Sequence, residues 1–155
     1  PNIKWLESII PQEQLEEEFK AADIFVLPSH HTPWGLILEA MSYELPVITT
    51  DVYANPELVN DGVDGFLIKK SDKVPYPYQS SVPPDDLARH RFKEAIRRVD
   101  PRVVQDLVQK ISILMENPEL RRRMGRAARW EVEEGEHSVK KRNEKLKRIF
   151  DEATS

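Results

Sequence analysis

The chain has 155 residues, a net charge of −4 from 23 basic and 27 acidic residues, and no cysteine. This length suits one domain with a real core, and the charge balance excludes a global attraction to nucleic acid or to an anionic membrane. Without cysteine there are no disulfides and no thiolate metal sites, which is typical of a reducing cytoplasmic compartment. The charged residues, 32% of the chain, alternate in sign as on solvated helix faces, and such compositions are common in heat-stable proteins. No apolar stretch is long enough to span a membrane.

The chain opens on Pro1 without a methionine, so we expect it to be a piece of a longer protein. A short strand is predicted at Ile3–Leu6. Pro11 is well placed as the first residue of a helix, and the helical spacing of its apolar residues predicts one buried face. That face carries Leu15, Phe19 and Ala22.

A β-α-β unit follows. The apolar run Ile24–Leu27 predicts a parallel strand buried on both faces, and Gly35–Tyr43 reads as the next helix. The second strand is predicted at Val47–Thr50. Because parallel sheets bind ligands just past the carboxyl ends of their strands, a functional site is expected in the loop that leads to Gly35.

Asn55-Pro56-Glu57 indicates a helix start with Asn55 as N-cap. The turns around Gly62 and Gly65 frame a last strand at Phe66–Ile68. The order of elements predicts an α/β fold with a Rossmann-like, doubly wound parallel sheet. Such sheets usually carry five or six strands and only four are predicted here, so the sheet is expected to be incomplete at its N-terminal end.

Residues 1–70 are thus predicted to form one unit, and residues 71–104 differ in character. The latter comprise a proline-rich loop at 71–84 and a helix at 85–99. Tyr76 and Tyr78 are expected to anchor this loop, and the alternative is that they pack on a partner or an acceptor. Residues 105–155 are predicted to be C-terminal helices packed on the same domain. Helix starts are indicated at Asp100-Pro101 and Asn117-Pro118, Gly135 breaks the pattern, and Ser138 caps the last helix. The residues predicted to be buried in these helices include Val104, Leu107, Val108, Ile111, Leu114, Met115, Leu146, Ile149 and Phe150, and the tryptophans Trp5 and Trp130 are predicted to be at least partly buried.

The segment from Ala22 to Leu67 carries a series of motifs in a fixed order. They are Ala-Asp-Ile-Phe-Val-Leu-Pro-Ser (22–29), Gly35, Leu-Glu-Ala-Met (38–41), Pro-Val-Ile (46–48), Thr-Asp (50–51), Pro-Glu-Leu-Val (56–59) and Asp-Gly-Val-Asp-Gly-Phe-Leu (61–67). In this series the chain resembles the C-terminal, donor-binding half of GT-B-fold retaining glycosyltransferases of the glycogen-synthase and sucrose-synthase-like group. A further motif, Asn-Pro-Glu-Leu-Arg-Arg-Arg-Met-Gly (117–125), extends the likeness. The likeness covers residues 1–70 and about 105–150, so residues 71–104 are interpreted as an insertion.

Physical reasoning and the resemblance point to the same residues for the donor. Amides at a helix N-terminus bind phosphate, and glycine permits close approach, which suits Gly35 and Leu36. A carboxylate can accept both ribose hydroxyls, and the resemblance assigns this role to Glu39, although a carboxylate near a helix start can also simply complement the helix dipole. Trp34 lies in the loop at 28–34 that leads into this helix, here termed the donor loop.

The family's other paired glutamate, which binds hydroxyls of the donor sugar, has no counterpart here. Two alignments place either His31 or Thr32 at its position, and both side chains can hydrogen-bond a sugar hydroxyl. Glu44 replaces a glycine that usually ends the helix, where a left-handed backbone favours glycine. Residues 53–55 replace a glycine-rich segment that normally faces the donor.

The resemblance implies retaining transfer of a sugar from a nucleotide-diphosphate sugar to a saccharide or lipid-linked acceptor hydroxyl. It implies no metal or other cofactor. It also places the leaving-group arginine and lysine, and the acceptor domain, before Pro1, so no catalytic residue is assigned in this chain, which is expected to be inactive alone. The alternatives are a non-catalytic GT-B-like binding or scaffold module and an unrelated doubly wound nucleotide binder such as half of a sugar-nucleotide epimerase.

Two further patterns are weaker. His30-His31 could suggest metal binding, but adjacent histidines point apart in extended chain and no third ligand lies at suitable spacing. The basic runs at 121–126 and 140–148 lie on predicted amphipathic helices that also carry glutamates, which favours solvated helix faces over nucleic-acid binding. A peripheral contact with a membrane is the alternative interpretation of these runs.

Overall fold

A computed structural model describes residues 3–4, 6, 10–76 and 85–154. Within these ranges the fold is α/β, as predicted, with three parallel strands and seven helices. The strands are β1 (Phe25–Leu27), β2 (Val47–Thr50) and β3 (Gly65–Ile68), and the helices are α1 (Gln12–Ala21), α2 (Trp34–Ser42), α3 (Asn55–Leu58), α4 (Asp86–Ala95), α5 (Pro101–Glu116), α6 (Pro118–Glu133) and α7 (Val139–Ala153).

The sheet has the strand order β1-β2-β3, so the carboxyl ends of all three strands meet at one edge. The four residues of β2 are buried, whereas those of β1 are only partly buried. The prediction that the strand at Ile24–Leu27 is buried on both faces is therefore wrong. The reason is that β1 has one strand neighbour among the described residues and lies at the sheet edge. Whether the sheet continues past β1 stays a prediction.

Two apolar cores lie on the two faces of the sheet, because successive strand residues point to opposite sides. Val47 belongs to the core that α1, α2, α3 and α6 share, where Phe19 and Met41 are also buried. Ile48 belongs to the other core, which Leu114 of α5 and Met124 of α6 complete. Helix α6 contributes to both cores and packs closely against α2.

The helix starts follow local sequence chemistry at three predicted positions. The side chains of Asp100, Asn117 and Ser138 accept hydrogen bonds from the backbone amides of Arg102, Leu120 and Lys141 respectively. These bonds satisfy amides that the helix itself leaves without partners, and they confirm the predicted starts of α5, α6 and α7.

Asn55 does not cap α3, contrary to prediction. Asn55 is the first residue of α3, Ala54 occupies the N-cap position, and no side-chain cap bond is present. Instead, the buried Asn55 amide nitrogen donates to Thr49 Oγ1 at 3.0 Å and to the Thr50 carbonyl at 2.9 Å. These two donated bonds fix the Asn55 side chain against β2, and its Oδ1, the atom that would accept from an α3 amide, has no partner among the described residues.

Several other predictions are corrected. Residues 3, 4 and 6 form no strand, and residue 5 (Trp5) lies outside the described residues, as do 77–84 with Tyr78. Helix α4 ends at Ala95 instead of Val99, and Ala22 is exposed just after α1. Residues predicted to be buried but exposed in the structure are Val104, Val108, Met115, Trp130, Leu146, Ile149 and Phe150. Periodicity predicts an apolar helix face, but nothing in the described structure covers these parts of it.

Candidate donor-binding site

The N-terminus of α2 lies just past the carboxyl end of β1, where the sequence predicts a site. The Leu36 amide donates to the Pro33 carbonyl at 3.1 Å and therefore closes the first turn of the helix. Among the described residues, the amides of Trp34 and Gly35 have no acceptor. These two amides, more than that of Leu36, offer hydrogen bonds to an anion at this end of α2.

Gly35 leaves open space beside this helix end. A Cβ atom built at Gly35 would meet no atom within 4 Å, and the Trp34 side chain is 51% exposed. Packing within the protein does not require a glycine at this position, and the space left by the absent side chain allows a ligand to approach the backbone closely.

Glu39 follows Gly35 by four residues, so the two lie one above the other on the same face of α2. The Glu39 side chain is partly buried, and its Oε1 accepts from Gln12 Nε2 of α1 at 3.3 Å. A carboxylate has about four acceptor positions, so Glu39 keeps capacity to accept from a pair of hydroxyls. The predicted phosphate and ribose contacts are therefore arranged along one helix face.

His31 and Thr32 lie in the loop that joins β1 to α2. Thr32 Oγ1 accepts from the Ala54 amide at 3.1 Å, so its hydroxyl proton remains available as a donor. The His31 amide donates to Ser29 Oγ at 3.1 Å, and its side chain is exposed. No residue from 28 to 34 is a carboxylate, so neither side chain reproduces the acceptor that the family motif places here.

A buried polar chain ties this loop region to the sheet. Thr49 Oγ1 donates to the Leu27 carbonyl at 2.9 Å and accepts from Asn55 Nδ2 at 3.0 Å. This chain links the ends of β1 and β2 to the start of α3. Tyr53, in the segment that replaces the family's glycines, adopts a positive φ of 47° that glycine would reach more easily.

Sequence reasoning missed a group of rings beside the candidate site. His30 Nδ1 lies 3.1 Å from the Tyr76 hydroxyl, and the Tyr76 ring also contacts the rings of Tyr53 and Phe92, with centroids 5.8 Å away in both cases. The anchoring role predicted for Tyr76 is confirmed. The contact of Tyr76 with His30 could not be predicted from any local pattern, since the two residues are far apart in sequence.

A cavity of about 270 Å³ adjoins these rings at the carboxyl edge of the sheet. Its lining combines apolar side chains of α5 with polar groups that include His30, Ser71 and Asp100. Asp100 is only 7% exposed and accepts from Ser71 Oγ at 2.6 Å. Hydrogen bonds from Arg102, and then from Ser71, hold the pKa of Asp100 well below its ordinary value of 3.8. Asp100 is therefore a fixed negative charge beside the cavity.

Within the described part of the chain, no group of three or more His, Asp or Glu side chains is arranged to hold a metal ion. No described helix is both long enough and apolar enough to cross a membrane.

Comparison with known proteins supports the resemblance drawn from the motifs. Residues 1–74 match the family model of "Glycosyl transferases group 1". This match includes β1, β2, β3 and the N-terminus of α2, and so covers the whole candidate site. The predicted resemblance to this family is thereby confirmed for residues 1–70, whereas residues 105–150 lie outside the match.

Curated relatives agree with this family. An α-maltose-1-phosphate synthase of Mycolicibacterium smegmatis is 38% identical over 67 residues, 43% of this chain and 17% of that protein. A D-inositol 3-phosphate glycosyltransferase of Saccharomonospora viridis is 31% identical over 101 residues, 64% of this chain and 22% of that protein. The chain thus matches only about a fifth of the length of these relatives.

A solved structure with the same fold is sucrose-phosphate synthase from Thermosynechococcus elongatus. It matches with a TM-score of 0.57 and 23% identity, over 93% of this chain and 29% of that one. At this identity the likeness concerns the fold alone, and it supports the predicted GT-B class.

Proposed function

We propose that this chain forms part of the donor-nucleotide site of a glycosyltransferase that transfers a sugar, with retained configuration, from a nucleotide-diphosphate sugar to an acceptor hydroxyl. The observation that carries the proposal is the arrangement of Gly35 and Glu39 on one face of α2, at the carboxyl edge of a parallel sheet. The unpartnered amides and the open space at Gly35 suit a diphosphate, and Glu39 one turn later suits ribose hydroxyls.

The chemistry available to these residues is binding and charge stabilisation. As the glycosidic bond breaks, negative charge grows on the departing diphosphate, and amides that already point at the phosphates stabilise that charge without rearrangement. Glu39 fixes the nucleotide so that the diphosphate meets the amide end of α2. The arginine and lysine that complete leaving-group stabilisation, together with the acceptor-binding domain, are proposed to belong to other parts of the full-length protein. No metal is needed in this scheme.

The test measures binding of UDP, ADP and GDP, and of their glucose or mannose conjugates, by calorimetry on the full-length protein. Glu39→Ala removes two charge-assisted hydrogen bonds, so the dissociation constant should rise at least about tenfold. Glu17→Ala is the matched control, because Glu17 is an exposed carboxylate in the middle of α1. Unchanged nucleotide binding in Glu39→Ala would refute the proposed site.

Gly35→Ala provides a second test in which binding and stability change in opposite directions. The new methyl group enters open space, so it should leave packing intact and favour the helix by up to about 1 kcal/mol. The same methyl group would stand where the diphosphate approaches, so nucleotide affinity should fall. Retained affinity with raised stability would contradict the phosphate role of this helix end.

The absence of a carboxylate from residues 28–34 favours one alternative, a GT-B-like module that binds nucleotide or a protein partner without catalysis. Transfer and hydrolysis assays on the full-length protein separate the two functions. Release of nucleoside diphosphate from a sugar nucleotide, lost in Glu39→Ala, supports the enzyme. A product of inverted configuration by NMR would refute the retaining mechanism.

A further inference from the structure

The rings beside the donor loop come from three separate parts of the chain. His30 belongs to the loop after β1, Tyr53 to the loop after β2, and Tyr76 and Phe92 to the 71–104 segment. The Phe92 ring meets His30 edge to face at 6.3 Å, and the Tyr76 ring meets Tyr53 in the same way at 5.8 Å. Such contacts stabilise by about 0.5–1.5 kcal/mol each beyond the burial of the rings, so together they hold one loop against the other.

One polar contact in this group joins His30 to Tyr76. Burial, and then the charge of His31, lowers the pKa of His30, which favours the neutral ring. The His30 Nδ1 atom lies 3.1 Å from the Tyr76 hydroxyl oxygen, and a neutral ring accepts a hydrogen bond from this hydroxyl in one tautomer and donates to it in the other. The orientation of the His30 ring is thus set by Tyr76.

The same two loops also meet at the candidate sugar-binding residues. His30 directly precedes His31 and Thr32, and Thr32 Oγ1 accepts from the amide of Ala54, the residue after Tyr53. Tyr76 therefore contacts one residue of each loop, His30 and Tyr53. The hydrogen bond from Ala54 to Thr32 joins the same two loops a second time. The Gly35 and Glu39 positions lie on α2 and are held by the helix itself and by Gln12.

We propose that Tyr76, acting through His30, is a positioning residue for the sugar-recognising end of the donor site, and that it thereby tunes donor-sugar selectivity. This inference rests on the proposed function. Tyr76 is not assigned a contact with the donor. Its role is to fix the loop in which His31 and Thr32 replace the family's carboxylate.

The inference predicts that sugar recognition and nucleotide recognition separate. In the full-length protein, Tyr76→Phe removes only the hydroxyl that orients His30 and keeps the ring contacts. The dissociation constant for UDP-glucose or ADP-glucose, whichever binds, should rise by roughly threefold to tenfold, the effect of one lost hydrogen bond. The dissociation constant for the corresponding UDP or ADP should stay the same. Tyr43→Phe is the matched control, since Tyr43 stacks on Phe19 in the core that α1 and α2 share, and it should alter neither value.

A double-mutant cycle with His30→Ala tests whether Tyr76 acts through His30. The effect of Tyr76→Phe on sugar-nucleotide affinity should disappear in the His30→Ala background, because the hydroxyl then has no ring to orient. Additive effects would overturn the inference, as would equal weakening of nucleotide and sugar nucleotide or no change in either. If Glu39→Ala leaves nucleotide binding intact, the proposed function itself fails. If Glu39→Ala weakens binding but Tyr76→Phe does not, the positioning role alone fails.

Discussion

Glu44 follows the end of α2 with a left-handed backbone, at φ +60°, a conformation that glycine adopts more easily than other residues. A side chain in this conformation costs roughly 1–2 kcal/mol, whereas glycine adopts it freely. Part of that gain is offset because glycine loses about 0.5–1 kcal/mol more conformational entropy on folding. We therefore expect Glu44→Gly to stabilise the protein by about 0.5–1 kcal/mol from the backbone alone.

The Glu44 side chain contributes little that would mask this gain. Its Oε1 lies 3.6 Å from Arg129 Nη1, and both side chains are about half exposed, so the ion pair is worth at most about 1 kcal/mol. Glu44→Ala loses the same pair but keeps the backbone cost, which makes it the matched control. The comparison of interest is thus glycine against alanine at position 44.

The assay is urea unfolding followed by circular dichroism, with thermal unfolding as a second measure. Glu44→Gly should exceed Glu44→Ala in the free energy of unfolding by about 0.5–1 kcal/mol, a difference of roughly 1–4 °C in Tm for a domain of this size. Equal stability, or greater stability of the alanine variant, would refute the argument that backbone strain is stored at this turn.

Three other changes probe the fold around the site. In Gly125→Ala, the new Cβ would lie 2.0 Å from the Glu44 carbonyl oxygen, so thermal unfolding should reveal a loss of about 1–3 kcal/mol or more, and an unchanged Tm would contradict the close approach of α6 to the end of α2. In Thr49→Val, the Leu27 carbonyl loses a buried donor and Asn55 Nδ2 an acceptor, so urea unfolding should reveal a loss of about 1–3 kcal/mol, whereas an effect below 0.5 kcal/mol would argue against this network. Because the pKa of Asp100 is lowered, its carboxylate stabilises the fold at pH values above 3.8, the ordinary pKa of the group, and this contribution is lost as the pH falls further. Asp100→Asn should therefore flatten the acid limb of a pH–stability curve, and an unchanged limb would refute the assignment.

The elements that could be predicted from sequence are those specified by nearby residues. The bounds of β2 match the prediction residue for residue, because a short apolar run ends between Pro46 and Asp51. The caps at Asp100 and Asn117 are likewise local, since each side chain bonds an amide two or three residues away. The pairing of Gly35 with Glu39 is local in the same sense, as it follows from helix periodicity alone.

What could not be predicted depends on residues that are distant in sequence. Asn55 has good N-cap chemistry, but a buried hydroxyl on β2 attracts its amide instead. The contact between His30 and Tyr76 joins the donor loop to a proline-rich segment that no motif connects with it. Trp130 lies on an amphipathic helix yet is 57% exposed, because periodicity identifies an apolar face and does not say what packs against it.

These distant contacts bear on the site through α2. At one end of this helix, the chain from Asn55 through Thr49 to the Leu27 carbonyl fixes the strand edge from which the donor loop departs. At the other end, α6 approaches the turn at Glu44 closely because Gly125 has no side chain, and a Cβ atom there would overlap the Glu44 carbonyl oxygen. Glu39 lies between these two fixed ends, and its carboxylate also accepts from Gln12. Helix α6, predicted to be packing material, thus sets the position of α2, and substitutions at the α2–α6 contact should weaken nucleotide binding without touching the nucleotide.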